Sequence, residues 1–116
     1  MLQESETGSL VNVTDDTFAE MVLASDRPVA VDFWAEWCPP CRVISRSLTE
    51  LAEEFGEQMA ILKINSDENP MATRTYRIMS LPTVLVFRNG EVVATIVGSK
   101  PKTHLRQALS AAMAGA

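Results

Sequence analysis

The sequence predicts an α/β fold with one central mixed sheet of five strands flanked by four helices, and three observations carry that prediction. VAVDFWA, residues 29–35, is a nearly unbroken apolar run of strand-forming types, the pattern of a strand covered on both faces. A helical stripe follows at once and leads into MAILKIN, residues 59–65, giving a strand–helix–strand unit whose crossover is expected to be right-handed. Near the end, TVLVF and VVATIV flank Arg88-Asn89-Gly90, and Asn-Gly between alternating runs is a strong hairpin signal.

Taken in order, LVNVT at 10–14 alternates apolar and polar residues and reads as a first strand. Thr14 or Asp15 is placed to N-cap a helix carrying Phe18, Met21 and Val22 on one face. Asp26-Arg27-Pro28 breaks the chain before the second strand. Beyond Cys41, residues Val43, Ile44, Leu48, Leu51, Ala52 and Phe55 recur at helical spacing, and Gly56 is placed to stop them. Asn69-Pro70 has the form of an N-cap with proline at the first helical position. Leu105, Ala108, Leu109, Ala112 and Met113 mark one face of a last helix. No repeat or linker interrupts this order, so residues 9–116 are expected to form a single domain behind a flexible acidic tail at 1–8.

Composition narrows the function. A net charge of −5 argues against nucleic acid and anionic membrane as partners. MLQESETGSL lacks the basic and apolar regions of a signal peptide, and no apolar run reaches the roughly 18 residues of a spanning helix. A reducing, cytoplasmic setting is therefore expected, where paired cysteines more often do redox or metal chemistry than brace a fold.

The two cysteines of the chain lie in EWCPPCR, residues 36–42, and admit three readings. A structural zinc needs four ligands, whereas this chain adds a single histidine, His104, some sixty residues away on the polar side of the last helix. A structural disulfide across Pro39 and Pro40 closes so small a loop that it removes little entropy from the unfolded chain. A reactive dithiol has a positive mechanism. Cys38 falls at a strand-to-helix junction, where orphan N–H groups and the helix dipole favour a thiolate. Because it precedes proline, Cys38 is held extended, as an N-cap residue is. With no N–H on Pro39 or Pro40, the Cys41 amide is the nearest expected donor to its sulfur. Pro40 disfavours a helical Pro39, which places the regular helix start at Pro40. An exposed attacker at Cys38 beside a shielded resolver at Cys41 is the pair that thiol–disulfide exchange requires.

VDFWAEWCPPC, residues 31–41, closely resembles the active-site strand and turn of thioredoxins. TDDTF, KINSDENP at 63–70, YRIMSLPTVLVFRNGE at 76–91 and Val97-Gly98 follow in the order of that family, from about Leu10 to the C-terminus. A lone CxxC is a weak motif; with the strand before it and LPT forty residues later it is a strong one.

The resemblance implies a thioredoxin fold and a protein-disulfide reductase. In that reading Cys38 is the nucleophile, Cys41 the resolving cysteine, and the chain itself holds no cofactor. A thioredoxin reductase, which brings its own FAD and NADPH, is the implied electron source; protein disulfides are the substrates and monomer the default state. Asp32 matches the family's buried aspartate. A carboxylate in an apolar strand is costly unless paired or protonated, so its pKa should rise and suit it to accept a proton from Cys41; the bland alternative is a strand-edge aspartate facing water. Lys63 matches the lysine that accompanies the aspartate; on its own it reads as a solvated strand residue. Pro82 matches the family's cis-proline beside the dithiol, and Leu81 would offer its backbone to an extended substrate. Trp37, Pro39, Leu81, Pro82, Val97 and Gly98 form the implied docking surface, while Trp34 packs under the active-site turn.

The chain departs from the family pattern in three places. Pro39-Pro40 stands where Gly-Pro is commonest, which modulates the balance between dithiol and disulfide. Arg46 stands where many relatives have a helix-kinking proline, so a straighter helix is expected. Met79-Ser80 replaces the common Arg-Gly on the docking rim. Two other functions compete: a thioredoxin-like oxidase or isomerase poised less reducing, and a binding or scaffold module whose thiols are incidental.

Overall fold

A computed structural model describes residues 10–114; the expected tail at 1–8, with Ser9 and the last two residues, lies outside the described residues. Five strands form one sheet in the order β1–β3–β2–β4–β5, with β1 at Val11–Val13, β2 at Val29–Trp34, β3 at Ala60–Asn65, β4 at Thr83–Arg88 and β5 at Glu91–Val97. β3 runs parallel to β1 and to β2, whereas β4 is antiparallel to β2 and to β5, so the sheet is mixed as expected. Four helices cover it: α1 at Ala19–Leu23, α2 at Pro39–Phe55, α3 at Pro70–Thr75 and α4 at Lys102–Ala114.

Alternation along β2 divides the core. Ala30 faces a cluster built with Ile44, Leu48 and Leu51 of α2 and with Leu105 and Leu109 of α4. Val29, Val31 and Phe33 face the opposite cluster, where Phe18 and Val22 pack with Leu85 and Phe87. Every residue of β2 up to Phe33 is buried, so the continuous apolar run of the sequence is the centre of the sheet. Asp32 is the exception in that run, and the period of two puts it on the α2/α4 face.

The ends of the helices hold the main differences from expectation. α1 is a five-residue segment of π type beginning at Ala19, not a regular helix capped at Thr14 or Asp15. Thr14 closes a tight turn instead, donating its N–H to Thr17 Oγ1 at 2.9 Å and accepting the Thr17 N–H on its own hydroxyl at 3.3 Å. Asp15 leaves its own helix and caps another: its carboxylate accepts the N–H groups of Met71 at 3.0 Å and Ala72 at 2.8 Å, at the start of α3. Asn69 does occupy the N-cap position before Pro70, but its side chain bonds the Asp15 N–H and the Asn65 carbonyl instead of its own helix.

α2 runs unbroken for 17 residues, with Arg46 within it. Val43 lies outside the buried stripe and is exposed, since the stripe runs through Cys41, Ile44, Leu48, Leu51 and Phe55. Gly56 ends the helix at φ 58° and ψ −126°, a backbone region that glycine adopts and other residues resist. Asn89 and Gly90, both at positive φ, make the tight turn between β4 and β5. α4 docks on α2 through Leu105 and Leu109, and at the surface through ion pairs of 2.7 Å from Lys102 to Glu50 and from Arg106 to Glu54. Among the described residues no helix is long and apolar enough to cross a membrane.

Candidate active site

The C-terminal end of β2 and the first turn of α2 bring the two cysteines together. Ala35, Glu36 and Trp37 turn the chain, and Cys38 N–H closes that turn on the Ala35 carbonyl at 3.2 Å. Cys38 is the N-cap of α2, extended at φ −109° and ψ 95°, as the following proline dictates. The helix starts at Pro39 and not at Pro40, because both prolines are accepted in a first turn whose donors have no partners. Cys38 and Cys41, with Cα atoms 5.3 Å apart, are joined as a disulfide.

Two expectations about the sulfurs require correction. Cys38 is not exposed: in the disulfide it is 2% accessible and Cys41 is 1%, packed with Ala35 under Trp34 and Leu81. The partly buried side chains of Trp34 and Leu81 pack against this cluster. The Cys41 N–H does not cap that sulfur either; it donates to the Cys38 carbonyl at 3.0 Å, the ordinary bond of a starting helix.

Asp32 is fully buried, and neither carboxylate oxygen has a hydrogen-bond partner among the described residues. The solvent-facing alternative for this residue is therefore excluded. Burial pushes its pKa up from 3.8 to about 7, against the opposing pull of the Lys63 charge. Lys63 sits in register with Asp32 on β3, so both side chains emerge on the α2/α4 face. Its ammonium lies 5.3 Å from the centre of the Trp34 ring, a cation–π contact that explains why it is half-buried instead of solvated.

Leu81-Pro82 is a cis peptide bond, as the resemblance implied. Leu81 touches the cysteine cluster, and the Pro82 carbonyl accepts the Gly98 N–H at 2.9 Å. That bond ties the Val97-Gly98 corner to the proline. Trp37 stands 66% exposed, its indole N–H donating to Asp67 at 2.8 Å. Val97, 51% exposed, pairs with Thr83 next to the cis-proline, and Met79, 90% exposed, lies two residues before Leu81, so both add exposed apolar surface to that loop. Sequence reasoning missed Asp67, the residue that holds Trp37; an acid in a loop carries no signal of its own. His104 is exposed, away from these residues, and among the described residues no group of three or more His, Cys, Asp or Glu is placed to hold a metal.

The sequence that builds this site has matches among known proteins. The family model described as Thioredoxin matches residues 9–111. The chain belongs to the thioredoxin family. It is 57% identical over 98 residues to the thioredoxin of Streptomyces clavuligerus, covering 84% of this chain and 91% of that one. It is 44% identical over 111 residues to the thioredoxin of Mycolicibacterium smegmatis, covering 94% and 99%. With thioredoxin 1 of Synechococcus elongatus it shares 46% identity over 97 residues, 84% of this chain and 91% of the relative. As a thioredoxin, the chain is a thiol–disulfide oxidoreductase that reduces protein disulfides through a redox-active cysteine pair. Members of the family act on protein disulfides and are themselves reduced by thioredoxin reductase.

Proposed function

We propose that this chain works as a general protein-disulfide reductase with a Cys-Pro-Pro-Cys centre, in which Cys38 attacks and Cys41 resolves. The single observation that supports this division is position. Cys38 is the N-cap of α2, next to Leu81 of the cis-proline loop, while Cys41 lies within the helix on its buried stripe, which covers the sheet face that carries Asp32. In the reduced protein the Cys38 thiolate attacks one sulfur of a substrate disulfide, and the other substrate sulfur leaves as a thiolate. Cys41 gives its proton to Asp32 and attacks the mixed disulfide at Cys38. The second substrate thiol departs and the Cys38–Cys41 disulfide forms. Two electrons pass to the substrate, and its thiolates take up two protons.

Asp32 suits the proton acceptor role because its pKa of about 7 lies close to the working range of a thiol. Lys63 holds that value below what burial alone would set. Leu81 and Pro82 present backbone to an extended substrate, with Trp37, Val97 and Gly98 as its flanking contacts. Pro39 and Pro40 modulate the stability of the disulfide by fixing the backbone between its two ends. A thioredoxin reductase carrying its own FAD and NADPH returns the electrons, and this chain contributes no cofactor. Residues 9–116 act as one domain, a monomer in the cytoplasm.

Trapping tests the assignment. Reduced Cys41→Ser should accumulate a mixed disulfide with an insulin chain, whereas Cys38→Ser should form none and lose turnover with NADPH and thioredoxin reductase. Mixed disulfides held on Cys41 in the Cys38→Ser variant would reverse the roles. An equilibrium with glutathione that strongly favours the dithiol in the wild type would mark an oxidant and sink the reductase reading.

A further inference from the structure

A cleft of about 460 Å³ opens beside the dithiol, with Cys41 in its lining and none of Trp37, Leu81, Pro82, Val97 or Gly98. One wall is the outer face of α2, where Arg42, Arg46 and Glu50 succeed one another at intervals of four. The other wall is Trp34 and Lys63 on β2 and β3, and Cys41, Ser45 and Thr49 complete the lining. Although the whole chain carries −5, this cleft is positive. Among the described residues Arg42, Arg46 and Lys63 make no ion pair, while the one acid present, Glu50, is engaged by Lys102 at 2.7 Å. Trp34 is also in the lining, and its buried indole N–H has no hydrogen-bond partner among the described residues. Arg42, Arg46, Lys63 and the Ser45 hydroxyl line one concave space, and among the described residues none of the three cations is held in an ion pair.

We propose that this cleft binds a small, multiply charged oxyanion of the phosphate class, free or as a phosphomonoester, through Arg42, Arg46 and Lys63. The uninterrupted helix matters here: proline in place of Arg46 would remove one cation and tilt the turn that carries the other. Two guanidinium groups one turn apart offer paired donors to tetrahedral oxygens, and Lys63 adds a point charge from across the cleft. A monovalent carboxylate would leave most of that charge uncompensated.

Occupancy would reach the dithiol through Lys63. Of the groups packed around Asp32, Lys63 on β3 is the charged one. The register partner of Asp32 on β4 is Val84, and the residues of α2 and α4 buried over that face, Cys41, Ile44, Leu48, Leu51, Leu105 and Leu109, carry no charge. An anion on Lys63 offsets the attraction that holds the Asp32 proton affinity down, so the pH at which Asp32 ionises moves upward. This coupling rests on the proton-acceptor reading above; the binding itself does not.

The test is calorimetric titration of the wild type and of Arg42→Gln/Arg46→Gln with inorganic phosphate and with glycerol phosphate, at fixed ionic strength. Both substitutions put a good helix former on an exposed helix face, and circular dichroism verifies the fold. The expected result is saturable binding to the wild type that weakens at least about tenfold in the double variant. The tighter of the two probes identifies whether the ion or its ester is the ligand. No saturable binding of either probe, or equal affinity in the two proteins, overturns the site. The pH midpoint of insulin reduction should rise when phosphate saturates the wild type and stay fixed in the double variant. A midpoint that does not move in the wild type overturns the coupling to Asp32 while leaving the binding result to stand by itself.

Discussion

Asp15 and Asn69 hold each other across 54 positions of sequence: the Asp15 N–H donates to Asn69 Oδ1 at 2.8 Å, while the Asp15 carboxylate caps the helix that Asn69 begins. The pair fastens the loop after β1 to the start of α3. Pro70 is relieved of donating, and the next two N–H groups of the helix both find a carboxylate. Asp15→Ala should therefore destabilise the protein by about 1–2 kcal/mol, the upper part of the range for a lost cap. Asn69→Ala should lose a similar amount, and the double variant less than the sum, because the two changes break one unit. Urea unfolding of the three variants checks this.

Asp32 should make stability fall as pH rises. Its pKa is 3.8 when unfolded and about 7 when folded, so between those values the native state binds more protons than the unfolded state. The contribution is complete below the unfolded value, drains between pH 3.8 and about 7, and is flat above. The loss over that span is on the order of 4 kcal/mol, from the separation of the two values. Asp32→Ala removes the slope, so its stability relative to wild type should improve with pH and level off near neutrality. Unfolding free energies of both proteins at about pH 4 and pH 8 provide the comparison. The same variant should slow disulfide reduction near neutral pH, where the wild-type carboxylate begins to accept protons.

Two backbone positions should respond with opposite signs. Gly56 sits at φ 58° with open space around its Cα, so Gly56→Ala meets no clash and reports the conformation alone, a loss of about 1–3 kcal/mol. Arg77, at φ 53°, ends α3 in a left-handed conformation, with its N–H on the Arg74 carbonyl and the Ile78 N–H on the Thr73 carbonyl. That is the helix end at which glycine is preferred. Arg77→Gly should stabilise by roughly 0.5–1 kcal/mol, the relieved left-handed strain less the added freedom of the unfolded chain.

Trp37 should separate substrate docking from chemistry. It is exposed, held by Asp67, and outside the packed cluster around the sulfurs. Trp37→Ala should raise KM for a protein disulfide by roughly tenfold, the usual scale for an aromatic anchor, and leave reduction of a small aromatic disulfide nearly unchanged. Steady-state kinetics with the two substrates are the measurement. Equal losses on both would place Trp37 in the chemistry instead.

How much of this was legible in the sequence follows from the range of the interactions. The apolar run of β2, the α2 stripe and the Asn89-Gly90 turn are local patterns, and each appears where its residues place it. Cys38 as an extended N-cap was equally local, since proline at the next position dictates it. Asp15 looked like the cap of its own helix because sequence shows only neighbours; its true partners are 56 and 57 residues away. The burial of Cys38 is not legible because it depends on the disulfide and on how Trp34 and Leu81 pack against it, neither of which a residue pattern shows. For Lys63 the residue pattern by itself gives a solvated strand position and the family resemblance gives its pairing with Asp32; its seat over Trp34 needs the packed β2–β3 register.

The two cysteines occupy positions i and i+3 at the opening of one helix, with Cα atoms 5.3 Å apart. That is the spacing successive turns of a helix supply whether or not a covalent link is present. Making or breaking the bond therefore asks for side-chain rotation and no movement of strands or helices. An electron carrier built this way can cycle without rearranging its scaffold, and amide exchange across the central sheet should look the same at either end of the cycle.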